Sequence, residues 1–474
     1  MNISLSRATI HYKLFRKGFL AYCIFLLLVY IPGDVLAASY TVTNTSGSTI
    51  TPGSLPWAVQ QANYYSPGAD WISFNIPGAT STSPVTLYLD STLYINEQVI
   101  IDATTQPGFV TDLPDGRGFP AIILDAQGLA SAIHLQSGDS STVAGLSIIN
   151  YSSNAVTIGA GSAANWVRDN FLGLATYNQG GYYELNYAPP YQRAGTRGIG
   201  IASSRNVLLR NVISGNDNAI TIGDDISTTD STDVRYQTNS LQFNYVGTDA
   251  TGTKALGNTS DGLFLGAGAG ETWIGPGNVF SGNNSAGIEL LHPSNIGNVI
   301  FDNHIGVDRD GTAVLANGEI GILISNGAYY NAIGGSWGGN VISGNSLGGV
   351  VIGLYAPSPG DSGHADLNYI QNNIIGADKT ATVPLGMQDV GLSIEGGSTN
   401  VVVEGNVLGG NITHGVQCYD SQNNSISYNS IGQNESGLAL PNQNGFGIFL
   451  SNCSNVWTID NRFGSNGLGT IGQQ

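Results

Sequence analysis

The sequence predicts an all-β solenoid. Three recurrences predict it: a small residue leading an apolar triplet, an Asn closing strands, and coils that alternate in length. The first occurs nine times, as GIGI (198–201), AITI (219–222), GLFL (262–265), GIEL (287–290), GILI (321–324), GVVI (349–352), GLSI (391–394), GVQC (415–418) and GIFL (447–450). Self-similarity at a few tens of residues is the mark of a stacked repeat architecture. By strand alternation the second and fourth residues of each motif point inward and the third outward. The outward row then reads Gly200, Thr221, Phe264, Glu289, Leu323, Val351, Ser393, Gln417 and Phe449.

The second recurrence is an Asn after an apolar strand, at Asn170, Asn211, Asn244, Asn278, Asn303, Asn340, Asn373, Asn406, Asn429 and Asn461. Asn tolerates the left-handed backbone that a sharp corner requires, and its amide can bond to the same amide one coil away. The third is a length alternation. After Asn211, Asn278, Asn340 and Asn406 the chain returns at once to the next triplet. After Asn170, Asn244, Asn303, Asn373 and Asn429 it first inserts a loop such as TDATGTKALGN (248–258). These loops should pile into a ridge with a step about every 9.6 Å, two strand spacings.

Ahead of the repeats, residues 1–37 read as a secretory signal. Lys13, Arg16 and Lys17 precede thirteen apolar residues (19–31), and Val35-Leu36-Ala37 forms a small-residue cleavage pattern. The apolar run is shorter than the roughly 20 residues of a membrane-spanning helix, so no stable membrane insertion is expected. Four of the 15 basic residues and one of the 33 acids lie in this segment, leaving 11 basic against 32 acidic residues. Such a surface repels nucleic acid and gives no bulk attraction to polyuronates unless calcium bridges the like charges. Residues 38–130 form an N-terminal cap and irregular first coils, with strands expected over 71–76, 85–89 and 99–102. Ser54-Leu55-Pro56 opens a short amphipathic helix suited to covering the solenoid's open end. Residues 131–474 form the repeats. Cys418 and Cys453 are expected to be two unbridged thiols, because three extended residues separate their aligned positions by about 10 Å, beyond the roughly 4.4–6.8 Å of bonded cysteines.

The helix GSLPWAVQQAN (53–63), the strand WISFNIPG (71–78), IDATTQPG (101–108) and coils of the NVISGN and NYVGTDATGTKALGN type resemble bacterial secreted proteins of the parallel β-helix, pectin-lyase-like superfamily. That resemblance implies a single-domain right-handed parallel β-helix with a short N-terminal capping helix, secreted or held at the cell surface, and a polysaccharide or cell-surface glycan as partner. In this superfamily the fold hosts lyases, hydrolases and epimerases as well as non-catalytic adhesins, so the expectation is a protein that binds and, if catalytic, cleaves an extracellular polysaccharide. The alternative is a structural or adhesive surface protein. The sequence departs from the enzymes' signatures. It has no Asp-Pro-His and no Arg-x-Pro-x-x-Arg, and Gly223-Asp224-Asp225-Ile226 echoes only one element of the polygalacturonase set.

Chemistry is expected where the coil alignment gathers acids and an imidazole: Asp224, Asp225, Glu289 and His292. Two carboxyl groups some 6.5–9.5 Å apart suit inverting glycoside hydrolysis, and a His beside a carboxylate suits proton abstraction in a lyase. The long loop 174–197 brings Tyr182, Tyr183, Tyr187, Tyr191, Arg193 and Arg197 beside that coil. With Phe264 on the sheet, it is the expected sugar-binding wall. Asp308-Arg309-Asp310-Gly311-Thr312 has the opening cadence of a calcium loop, which makes Asp308 and Asp310 the candidate metal ligands and calcium the candidate ion.

Overall fold

The computed structural model describes residues 37–65, 68–111, 116–174, 178–179, 182–183, 196–223, 235–353 and 363–474. Among them, three long sheets of 14, 13 and 13 strands share one plan, in which each coil contributes one strand to each sheet. Pairing within these sheets is parallel throughout, from Ser39–Val42 against Asp70–Phe74 to Phe446–Ser451 against Gly469–Gln473. The first sheet starts at Ser39–Val42, the second at Leu93–Ile95 and the third at Val85–Tyr88.

The triplets lie on the second sheet in the predicted register. Gly200 pairs with Thr221, Thr221 with Phe264, Phe264 with Glu289, and the row continues through Leu323, Val351, Ser393 and Gln417 to Phe449. The flanking residues, such as Leu263 and Leu265 or Ile288 and Leu290, are wholly buried in the central core. Each contributes about 2 kcal/mol relative to an exposed side chain. The leading glycine has a packing reason. A Cβ at Gly262, Gly287, Gly321, Gly349, Gly391 or Gly415 would stand within 2.8 Å of the carbonyl oxygen of the matching glycine one coil on.

The Asn recurrence is a ladder. From Asn170 through Asn211, Asn244, Asn278, Asn303, Asn340, Asn373, Asn406 and Asn429 to Asn461, each Nδ2 donates to the next Oδ1 over 2.8–3.1 Å. The left-handed residue of the corner is not the Asn, as the sequence suggests, but the one before it. Asp169, Arg210, Phe243, Asp302, Asn372, Tyr428 and Asp460 all have φ between 51° and 60°. The Asn itself is needed for its amide, which also bonds a strand carbonyl, as Asn303 does to Ile274 at 2.8 Å. A second ladder passes through Asn258, Asn283, Asn317 and Asn345, and on from Gln388 through Asn411 and Asn442 to Asn466.

The inserted loops do stack. Each closes on itself by an antiparallel bridge, Thr248 with Ala255, Val307 with Val314, Ala377 with Pro384. Successive loops bond directly, the Arg309 amide donating to Gly252 O and the Lys379 amide to Gly311 O, both at 2.9 Å. The Ser of the SGN turns fastens them: Ser281 donates to Val307 O and Ser343 to Ala377 O, each at 2.7 Å.

At the N-terminus the helix is Leu55–Tyr65, and Ser54 Oγ accepts the Trp57 amide at 3.1 Å as its cap. Leu55, Ala58, Val59 and Ala62 are buried against the first coils. The early strands are Asp70–Phe74, Val85–Tyr88 and Val99–Asp102. Cys418 and Cys453 form a disulfide, contrary to the sequence expectation, with Cα atoms 6.3 Å apart. The alignment was sound, since Cys418 pairs with Leu450 and Gln422 with Ser454. The error lay in assuming extended chain: Asp420 and Asn452 adopt φ of 48° and 51°, so both strands turn instead of running on.

Candidate functional site

Two outward rows run along the second sheet. One is the row of triplet centres. The other is formed by the residue just before each leading glycine, where Asn154 pairs with Arg197 and Arg197 with Asn218. A residue in this second row and the triplet centre three positions on share a face, as Asn154 Nδ2 bonding Thr157 Oγ1 at 2.9 Å shows. Asp261 occupies that second row one coil before Glu289. Its Oδ1 accepts the Ala286 amide at 3.0 Å, which draws the carboxylate onto the Glu289 strand.

Glu289 is half-buried, and its carboxyl is pushed up to about 9. Burial is the largest cause, followed by the charge of Asp261, a hydrogen bond to it, and the charge of Glu319. Glu319 is exposed and accepts Ser285 Oγ at 3.0 Å. Two adjacent carboxylates do not readily both ionise in a desolvated site, which favours the protonated form of Glu289. Phe264 stands beside Glu289 in register and is half-buried. On the other side of Glu289 the row turns apolar, where Leu323 and Val351 are each 6% exposed and pack with Ile320 and Leu291.

The remaining expected site residues distribute as follows. Asp224, Asp225, Tyr187, Tyr191 and Arg193 lie outside the described residues, as do residues 1–36 of the expected signal. Tyr182–Tyr183 pairs antiparallel with Asn178–Gln179. Arg197 stands on the sheet face between Asn154 and Asn218. His292 is buried in the turn after its strand. Its Nδ1 accepts the Ser294 amide at 3.2 Å and lies 2.7 Å from Ser294 Oγ, while its own amide donates to Asn295 Oδ1 at 2.9 Å. The Nδ1 atom thus helps hold the turn.

Asp308 is an organiser of its ridge loop. Its Oδ1 accepts the Thr312 and Ala313 amides at 2.8 and 3.1 Å, and Asp249 and Asp378 do the same in their loops. Asp310 is exposed, 3.7 Å from the Arg309 guanidinium. Among the described residues no three His, Cys, Asp or Glu side chains converge on a metal position. Near the N-terminal end of the first sheet, Arg168 bonds Asp102 and Asp169 at 3.1 and 2.9 Å, and Arg210 bonds Asp169 at 2.7 Å, an ion-pair network that explains these charges. Asp261 is the site residue that sequence reasoning missed. The signal was its place before Gly262, three residues ahead of an outward Phe.

Among solved structures, the tailspike protein of Dettilon (gp208) matches with a TM-score of 0.52 at 11% identity, over 89% of this chain and 68% of that one. The chain is a parallel β-helix. Also similar are the A-module of the Azotobacter vinelandii mannuronan C-5 epimerase AlgE4 (TM-score 0.45, 13% identity, 92% of this chain and 99% of that one) and PfbA, a surface adhesin of Streptococcus pneumoniae (0.44, 10%, 91% and 91%). The family model of the periplasmic copper-binding protein NosD matches residues 382–473. No curated protein matches the chain by sequence. The matched segment of this β-helix does not fit copper, which favours His, thiolate and thioether donors. Cys418 and Cys453 are bonded to each other, His414 Nδ1 accepts the Phe446 amide at 2.9 Å, and Met387 is exposed at the surface. Among the described residues no helix is long and apolar enough to cross a membrane.

Proposed function

We propose that this β-helix works outside the cytoplasm, binding an extended polysaccharide along the outward face of its second sheet and acting on it by proton transfer from Glu289. The observation that carries the reading is the Glu289 carboxyl against Asp261, its pKa raised by burial and by that neighbour, set in register beside Phe264 on a strand face. A carboxyl that stays protonated at neutral pH is suited to protonating the leaving oxygen of a glycosidic bond. The hydrogen-bonded pair is too close to place a water between its members, so a hydrolysis would draw its second carboxylate from elsewhere on the chain. The disulfide supports an oxidising, extracytoplasmic compartment.

The experiment is a screen of the mature protein against neutral and uronate polysaccharides, following reducing ends and the absorbance of unsaturated uronate. Turnover that Glu289→Gln abolishes, with binding retained, supports the reading. Binding with no turnover on any glycan moves the protein to a non-catalytic adhesive role, a second reading favoured by the apolar cover over Leu323 and Val351 next to the pair.

A further inference from the structure

Five parallel strand spacings beyond Glu289, about 24 Å along the axis, the same face carries a different surface. His414, Phe446 and Phe449 present three rings whose planes agree within 14°. The centroids lie 4.7 Å apart for His414 and Phe449, and 6.1 Å apart for Phe446 with either ring. All three are half-buried, and Tyr419 meets Phe449 edge-on at 5.8 Å. The cluster is built in place. The Phe446 amide donates to His414 Nδ1 at 2.9 Å, which fixes the imidazole and leaves Nε2 as the N–H of the neutral ring. On the following coil Gly472 lies under Phe446, where a Cβ would come within 2.5 Å of the ring. Absence of a side chain at that position is what lets the ring lie over the strand.

The polar rim has one sign. Tyr419 is raised above its ordinary range first by burial and then by the charges of Glu395 and Asp389, and Asp389 is also the charge that His414 feels. Gln417 Nε2 donates to Ser393 Oγ at 3.0 Å, and Ser393 in turn donates to Glu395. An interior role would bury such rings with aliphatic neighbours. Here they stand on the outward face, in line with the pair of Glu289 and Asp261 through Leu323, Val351, Ser393 and Gln417.

We infer that His414, Phe446 and Phe449 form a second saccharide subsite that takes an uncharged sugar ring, its apolar face against the rings and its hydroxyls donating to Glu395 and Asp389. Half-exposed rings supply contact area at low conformational cost, and the few convergent polar groups supply orientation. A uronate placed there would meet carboxylates of its own sign, so the subsite discriminates by charge. The inference rests on the polysaccharide reading and names its substrate class as neutral.

The test is calorimetric titration of the full mature chain with neutral hexasaccharides (β-1,4-glucan, β-1,4-mannan, xylan, α-1,4-glucan) and with oligogalacturonate and oligomannuronate. The wild type, Phe449→Ala, Phe449→Leu and Asn455→Ala are compared. Expected is binding of at least one neutral oligosaccharide, weakened about tenfold by Phe449→Leu, which keeps apolar bulk but removes the ring. Asn455→Ala, which removes only an exposed bond to Asn423 away from this face, should bind as the wild type does. Thermal melting of each variant identifies a Phe449→Ala that fails by unfolding, in which case Phe449→Leu decides. Equal affinity of Phe449→Leu and wild type, preference for the uronates, or no binding of any neutral oligosaccharide overturns the subsite. Binding that depends on Phe449 without turnover sinks the catalytic reading and leaves the subsite standing.

Discussion

Replacing Glu289 by Gln keeps the side chain's size and its ability to donate to Asp261, and removes its titration. In the folded protein the carboxyl is pushed up to about 9 from 4.5, while in the unfolded chain it ionises near 4.5. Between these values the folded state holds a proton that the unfolded state has lost. Stability is therefore fully present below pH 4.5 and falls as pH rises towards 9, by about 1.4 kcal/mol per pH unit. From pH 5 to pH 8 the wild type should lose roughly 4 kcal/mol that Glu289→Gln does not lose. Urea unfolding at pH 5, 6.5 and 8 measures this, with the ladder coils followed by far-ultraviolet circular dichroism and the difference between proteins taken at each pH. The midpoints should converge at pH 5 and separate progressively by pH 8, the variant being the more stable. Parallel curves would mean that Glu289 is ionised in the folded state and that its pair with Asp261 holds no proton.

Asn303→Ala should cost about 3 kcal/mol in chemical denaturation, since it leaves Ile274 O and the Asn278 amide without their buried partner. Asn455→Ala, which removes an exposed bond to Asn423, should change stability by less than about 0.5 kcal/mol. Cys453→Ser opens a linkage that closes 35 residues and should release about 4 kcal/mol of stabilisation in the last coils. Hydrogen exchange over residues 446–473 reads it, and unchanged protection would refute a structural role. Gly321→Ala, whose Cβ would meet Gly349 O at 2.5 Å, should lower the melting temperature by several degrees. Gly287→Ala should do the same one coil earlier.

Coil geometry was legible because every turn of this chain obeys the same steric rules. Register of the outward row, the Asn ladder and the stacked loops all follow from aligning repeats, and each appears where alignment puts it. What alignment cannot supply is direction within a coil after the strand ends. Cys418 and Cys453 met because left-handed residues fold both strands back, and a count of extended residues misses that. The same limit hid the left-handed corner, which lies one residue before the conspicuous Asn. Asp261 was hidden for another reason: attention to triplet centres overlooked the residue before the glycine, although its side chain faces the same way. Asp308 carries a metal-like cadence that loop-capping carboxylates share, and in the structure its Oδ1 accepts the Thr312 and Ala313 amides.

The stacked insertions impose a rule on how this molecule can change length. Each ridge loop rests on the next ridge loop, and between them one short turn passes underneath. Deleting a single turn would set a long turn against another long one, or a short against a short, and break the amide contacts that join Gly252 to Arg309 and Gly311 to Lys379. Removing or duplicating turns two at a time preserves every such contact and both Asn files. Growth and shrinkage of this scaffold are thus quantised in pairs, and any substrate furrow along it lengthens in the same double steps.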